Sequence, residues 1–291
     1  MVTLFLLLLI GMAAWSQEID GRSAGRLLRR SYHSSVTGAE RDYFLFLPKG
    51  HAAETGRLWP VIVFLHGNGE RGNGKDELEV VLKHGPLKEA WTHGRDLPFI
   101  MISPQMPPIS EEARRRREEA RAKQPAPPRP VAPGLMSRTP LGEPARWTGE
   151  GPPEGWWLHE KDVINMVDRA IAEDRADPAR LYITGLSYGG FGTWHFAAAF
   201  PYRWAAAAPI CGAGNPETLA RIAEAKLPIW IFAGGKDVVV RPEWVLESAV
   251  ALERAGHPDV RFTVHEDRPH DAWTRVYEGW DLYNWFLQHR R

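Results

Sequence analysis

The chain has 291 residues, enough to bury a large core as one big domain or two small ones. Hydrophobic residues make up 44% and charged residues 25%, and Lys plus Arg equals Asp plus Glu at 36 each. The zero formal net charge gives no basic surface for a nucleic acid and no field for a strongly anionic target, and the single cysteine, Cys211, excludes an intrachain disulfide or a multi-thiolate metal site.

The first residues, MVTLFLLLLIGMAAWS, have the pattern of an export signal. The apolar run Leu4 to Ile10 is too short to span a bilayer, so no stable membrane insertion is expected. Ala14 and Ser16 supply small residues where a signal peptidase reads. The reading is a signal at 1–16, a mature domain at 17–291, and a periplasmic or secreted protein. The n-region has no Lys or Arg, which leaves a membrane anchor or a mis-assigned start as alternatives. No cysteine lies near the run, so a lipoprotein anchor is excluded.

Tyr43 to Leu47 is a short apolar strand ended by Pro48-Lys49-Gly50. Val61 to Leu65 (VIVFL) is continuously apolar and rich in β-branched residues, as in a parallel strand covered on both faces. Phe99 to Ser103, Leu181 to Thr184, Ala206 to Cys211, Ile229 to Ala233 and Val260 to Val264 are the further strands. Helices are predicted at Asp76 to His84, Leu158 to Glu173, Gly190 to Phe200, Pro242 to Ala255 and Ala272 to Gln288. Alternation through nearly the whole chain implies one doubly wound α/β domain with a mostly parallel sheet.

An insertion at about 107–155 breaks the alternation, with almost no apolar periodicity. Ser110 suits a helix N-cap, and Glu111 and Glu112 suit the first turn of a helix through SEEARRRREEARAK. That helix is polar almost all round, so it is expected outside the core. The Pro-rich stretch that follows, QPAPPRPVAPG, reads as extended or disordered, and most of Ser110 to Pro144 is expected to be mobile.

Gly185-Leu186-Ser187-Tyr188-Gly189 is a G-x-S-x-G motif between a strand, Leu181 to Thr184, and a helix opened by Gly189-Gly190. Strand, sharp turn and helix are the setting in which this motif exposes a nucleophilic serine beside a helix N-terminus. A serine hydroxyl needs a base, and the base needs an orienting acid, in chain order Ser, acid, His. Asp237 stands just past the strand Ile229 to Ala233, at the same sheet edge. His270 lies in the loop before the last helix, from which it can reach over that edge. His265 is the competing base, at the end of a strand, and Glu266 and Asp267 are the competing acids.

The strand Val61 to Leu65 runs into a Gly-rich loop, His66-Gly67-Asn68-Gly69-Glu70-Arg71-Gly72. Acyl transfer needs donors for an oxyanion. The expected pair is the N–H of Tyr188, after the nucleophile, and that of Asn68, in the early loop. No Gly-Lys-Ser/Thr follows at P-loop spacing, which argues against a nucleotide cradle. The remaining histidines show no metal-ligand spacing, and nothing in the pattern calls for a metal or an organic cofactor.

Taken together, HGNGERG, SPQMP, GWW, GLSYGGFGTW, PICGAG, GGKDVVV and HDAWTRVY resemble bacterial α/β-hydrolases of the predicted-peptidase and phospholipase/carboxylesterase-like group. These are similar to dienelactone-hydrolase-like, feruloyl-esterase-like and polyhydroxybutyrate-depolymerase-like enzymes. The resemblance implies Ser187 as nucleophile, Asp237 and His270 as its partners, and an oxyanion hole at Asn68 and Tyr188. It departs from the pattern where SPQMP normally leads quickly to the tryptophans. Gln105, Trp156 and Trp157 are candidates for lining a substrate pocket, although ordinary packing at a helix start accounts for the tryptophans equally well.

The expectation is therefore an exported serine hydrolase acting on a small-molecule or polymer-linked carboxylic ester. A peptidase of the same fold and a non-catalytic binding protein on this scaffold are the rival readings. The acyl and alcohol groups and the oligomeric state are not legible.

Overall fold

The computed structural model describes residues 16–19, 25–123, 148–149 and 151–291. The apolar run of the expected export signal and the Pro-rich stretch from Gln124 onward lie outside the described residues.

Nine strands form one sheet: β1 (Ser16–Ile19), β2 (Arg26–His33), β3 (Glu40–Leu47), β4 (Trp59–Leu65), β5 (Ile100–Ser103), β6 (Ala176–Leu186), β7 (Ala206–Ile210), β8 (Ile229–Gly234) and β9 (Val260–His265). Their order is β1-β2-β3-β5-β4-β6-β7-β8-β9. The first three join by antiparallel pairing, and β5-β4-β6-β7-β8-β9 is parallel throughout. Parallel pairs need crossovers, and helices supply them on both faces.

The crossover helices are α2 (Glu160–Glu173), α3 (Tyr188–Ala199), α4 (Leu219–Glu224) and α5 (Pro242–Arg254), and α6 (Trp273–Glu278) and α7 (Asp281–Leu287) close the chain. The continuous apolar run in β4 is explained by two cores. Val61, Val63 and Leu65 pack with α2 to α5 on one face, whereas Ile62 and Phe64 pack with α6 and α7 on the other. A strand with helices on both sides has no face left for water, so period-two alternation vanishes.

Two sequence expectations are revised. The helix expected over Ala272 to Gln288 is two, broken where Gly279 leaves helical geometry at ψ 171°. The helix expected at Asp76 to His84 is a 3-10 segment, Leu78–Lys83. Strand β2, RLLRRSYH, has only Leu27 and Leu28 as an apolar pair, and its arginines are paired: Arg30 makes two hydrogen bonds of 2.6 Å to Asp174, and Arg29 meets Asp42 at 2.7 Å. Those neutralised charges let a polar-looking segment join the sheet.

The polar helix is present as α1 (Glu111–Lys123), and Ser110 caps it by accepting from the Ala113 N–H at 3.1 Å. No helix among the described residues is long and apolar enough to cross a membrane.

Candidate active site

The parallel strands all deliver their C-terminal ends to one edge, and the candidate residues follow those ends. Ser187 comes directly after β6 and has φ 52° and ψ −116°, a left-handed conformation rare for a residue with a side chain. Its N–H donates to the Ile210 carbonyl at the end of β7, which holds the turn in place. The turn is possible because two neighbours lack a Cβ. One added at Gly189 would lie 1.7 Å from the Leu65 carbonyl oxygen, and one at Gly185 would lie 2.5 Å from that same atom. Helix α3 begins at Tyr188, so the first-turn N–H groups, which have no intrahelical acceptor, gather beside the serine.

His270 follows β9, and its Nε2 lies 2.9 Å from Ser187 Oγ while its Nδ1 lies 2.7 Å from Asp237 Oδ2. Asp237 follows β8 with its side chain fully buried, and its other oxygen accepts from the Val239 and Val240 N–H groups at 2.8 and 2.9 Å. The carboxylate is thereby fixed in the plane that meets the imidazole. The Trp273 ring stands edge-on to His270, 5.1 Å between centroids, and braces the imidazole from the α6 side.

The competitors are placed elsewhere. His265 stacks on Phe232, 6.3 Å away, and burial lowers its pKa. Asp267 makes two bonds of 2.7 Å to Arg275 at the surface. Behind Asp237 the buried Cys211 thiol completes a group whose polar atoms, with those of Asp237 and His270, lie within 4.8 Å of one another. Burial first, and then the negative charge of Asp237, push that thiol well above its ordinary pKa, so it stays protonated.

The Gly-rich loop after β4 sits against the Ser187 turn. A Cβ on Gly67 would lie 2.7 Å from the Leu186 side chain, and the Arg71 guanidinium lies 5.1 Å from the centre of the Tyr188 ring. Gly67 is held from both sides: its N–H donates to Glu70 at 3.0 Å, and its carbonyl is 2.6 Å from His66 Nδ1. His66 Nε2 accepts from the Met106 N–H at 2.9 Å, which assigns the proton to Nδ1 and makes that nitrogen the donor to Gly67. Because the peptide is trans, fixing the Gly67 carbonyl toward His66 turns the Asn68 N–H the opposite way.

A model of the prolyl oligopeptidase family matches residues 159–225. A poly(3-hydroxyalkanoate) depolymerase C from Paucimonas lemoignei is 51% identical over 50 residues, 17% of this chain and 12% of that protein. A thermostable esterase of known structure is 28% identical with a TM-score of 0.63, covering 91% of this chain. The chain spans 63% of that esterase's length. A ferulic acid esterase superposes with a TM-score of 0.57 at 17% identity, over 90% of this chain and 96% of that one. The fold is that of the α/β-hydrolases.

Within the α/β-hydrolase fold, the residues expected to line a pocket have other employment. Gln105 is buried, its amide donating to the Glu70 and Glu77 carbonyls at 3.0 and 2.7 Å and accepting from the Gly74 N–H at 2.9 Å. It clamps the loop after β4 and has no amide group left to face a substrate. Trp156 is also buried. It donates to the His66 carbonyl at 3.0 Å and packs under α3 against Gly192. Trp157 is half-buried, edge-on to His195 on the outer side of α3 at 6.4 Å. Sequence reading passed over His66, Arg71, Cys211 and Trp273. Each stands inside a motif quoted for its neighbours, and that adjacency was the available signal.

Proposed function

We propose that this chain is a serine hydrolase that cleaves a small-molecule or polymer-linked carboxylic ester through an acyl-enzyme. The observation that supports the reading is the hydrogen-bonded line Ser187–His270–Asp237, at 2.9 and 2.7 Å, set at the mouth of a strained strand–helix turn.

In this mechanism His270 Nε2 takes the Ser187 proton as Oγ attacks the ester carbonyl carbon. Asp237 holds the imidazole in the tautomer with its proton on Nδ1 and stabilises the imidazolium that forms. The carbonyl oxygen becomes an oxyanion and accepts from the Asn68 and Tyr188 N–H groups. The C–O bond to the alcohol breaks, and the leaving oxygen takes the proton from His270. A water then loses a proton to His270 and attacks the acyl carbon, and the serine departs with that proton.

Fluorophosphonate labelling together with a panel of aryl esters, short acyl esters, feruloylated sugars and peptide anilides tests the reading. Labelling of Ser187 with ester turnover is expected. No labelling would overturn it. The match to the prolyl oligopeptidase family supports a second reading, amide cleavage by the same residues, and faster turnover of peptide anilides than of esters would select it. Export rests on the apolar run Leu4 to Ile10 followed by Ala14-Trp15-Ser16, and a mature N-terminus at Gln17 is the result it requires.

A further inference from the structure

Arg71 stands three residues after Asn68, one full turn along the 3-10 segment Asn68–Glu70 that leads into it, so the two side chains share a side. Its guanidinium reaches four places at once. Nε donates to Asn68 Oδ1 at 3.1 Å, Nη1 to the Pro107 carbonyl at 2.9 Å, and Nη2 to the Glu154 carbonyl at 2.6 Å, while the plane of charge lies over Tyr188. Pro107 and Glu154 are the two ends of the insertion. They are joined a second time, because the Glu154 carboxylate accepts from the Ser110 N–H at 2.8 Å and from its hydroxyl. Glu154 itself has φ 50°, so its carbonyl is delivered to Arg71 from a conformation that the surrounding bonds must hold.

We propose that Arg71 is a positioning residue that ties both oxyanion-binding residues, Asn68 and Tyr188, to both ends of the insertion. The inference rests on the reading of Asn68 and Tyr188 given above. A planar fork is required: its donors leave in fixed directions, so Asn68, Pro107 and Glu154 are set relative to one another by one rigid group. A lysine ammonium can supply charge but cannot hold that geometry. Displacement of the insertion's ends therefore reaches the donors through Arg71. An oxyanion donor turned out of line costs rate in the transition state and little in the ground state.

The test uses the full chain with Arg71→Met and Arg71→Lys, the second retaining charge in case the first does not fold. Turnover of p-nitrophenyl acetate, inhibition by phenylboronic acid as an oxyanion-bearing adduct, and melting temperature are measured together. Both variants are expected to lose kcat by about 10- to 100-fold while KM changes by less than about 3-fold. The boronic acid inhibition constant is expected to rise by the same factor as kcat falls. Unchanged kcat in a folded variant overturns the proposal, and so does a loss of kcat with boronic acid affinity intact. A wild-type chain that neither labels with fluorophosphonate nor turns over ester overturns the reading of the site itself, a different result from an active wild type with equally active Arg71 variants.

Discussion

His66 and Gly67 are joined by a hydrogen bond of 2.6 Å from an imidazole with no solvent exposure. Burial drives the His66 pKa down to about 3, and His159, buried close by, is driven down to about 4. The folded chain keeps both rings neutral where the unfolded chain, near the ordinary value of about 6.5, takes up protons. Stability from this source is therefore complete above about pH 6.5 and is lost as pH falls toward 4 and then 3. The midpoint of urea unfolding should drop between pH 7 and pH 4.5. Each histidine contributes a limiting slope of about 1.4 kcal/mol per pH unit. A flat profile over that interval would show that these rings are protonated or exposed in the native state.

Ser187→Ala should abolish ester turnover and leave the melting temperature near that of the parent, since only the covalent step is removed. Near-normal activity in a cleanly purified variant would move the nucleophile elsewhere.

Between the two histidines near the C-terminus, His270→Ala should be almost as damaging as loss of the serine, and His265→Ala should cost little kcat because its ring packs on Phe232. Asp237→Asn should lower kcat by up to about four orders of magnitude, because the amide favours the wrong imidazole tautomer. Activity measured across the three variants decides the ranking, and a neutral Asp237→Asn would remove it from the acid's role.

Gly189→Ala tests the turn itself. A methyl group there meets the Leu65 carbonyl at a distance no contact allows, so β4 or α3 must shift. A cost of about 3 kcal/mol is expected, or a fall in melting temperature of roughly 6 to 12 °C, together with lost activity. A variant with parental melting temperature would mean that the turn at Ser187 is more open than the geometry indicates.

Deleting Glu111 to Arg138 and closing the gap with a short Gly/Ser linker should preserve folding and turnover of small aryl esters. The deletion retains Ser110, Pro107 and Glu154, the residues that join the two ends of the insertion. Affinity for bulky esters should be the property that changes. Loss of small-ester turnover would make the removed segment an ordered part of the site.

The parallel half of the sheet was legible because most of β4 to β9 contain short apolar runs bounded by turn residues, and Ser187, Asp237 and His270 were picked out by the G-x-S-x-G motif, the chain order and the strand ends they follow. Strand β2 was not, since its identity depends on Asp174, 144 residues away, neutralising Arg30. Gln105 was a candidate for the pocket, and Trp156 stood evenly between pocket and packing, because polarity and aromaticity are visible in a sequence, whereas the carbonyls that accept from them are not. Arg71 looked like one more charge in a Gly-rich loop. Two of its acceptors are backbone oxygens at the ends of the insertion, which no residue letter records.

The sheet order has a consequence for how activity is acquired. Asp237 and His270 follow β8 and β9, the last two strands, and β9 is an edge strand, paired on one side only among the described residues. His270 and Ser187 are 83 residues apart in the chain, and parallel pairing of this kind closes long loops before any contact rewards them. On refolding, helical circular dichroism should therefore recover ahead of enzymatic activity, with activity appearing only when β9 docks. The chain would be mute through most of its own folding, and fraying of one edge strand would silence it while the rest of the sheet stayed intact.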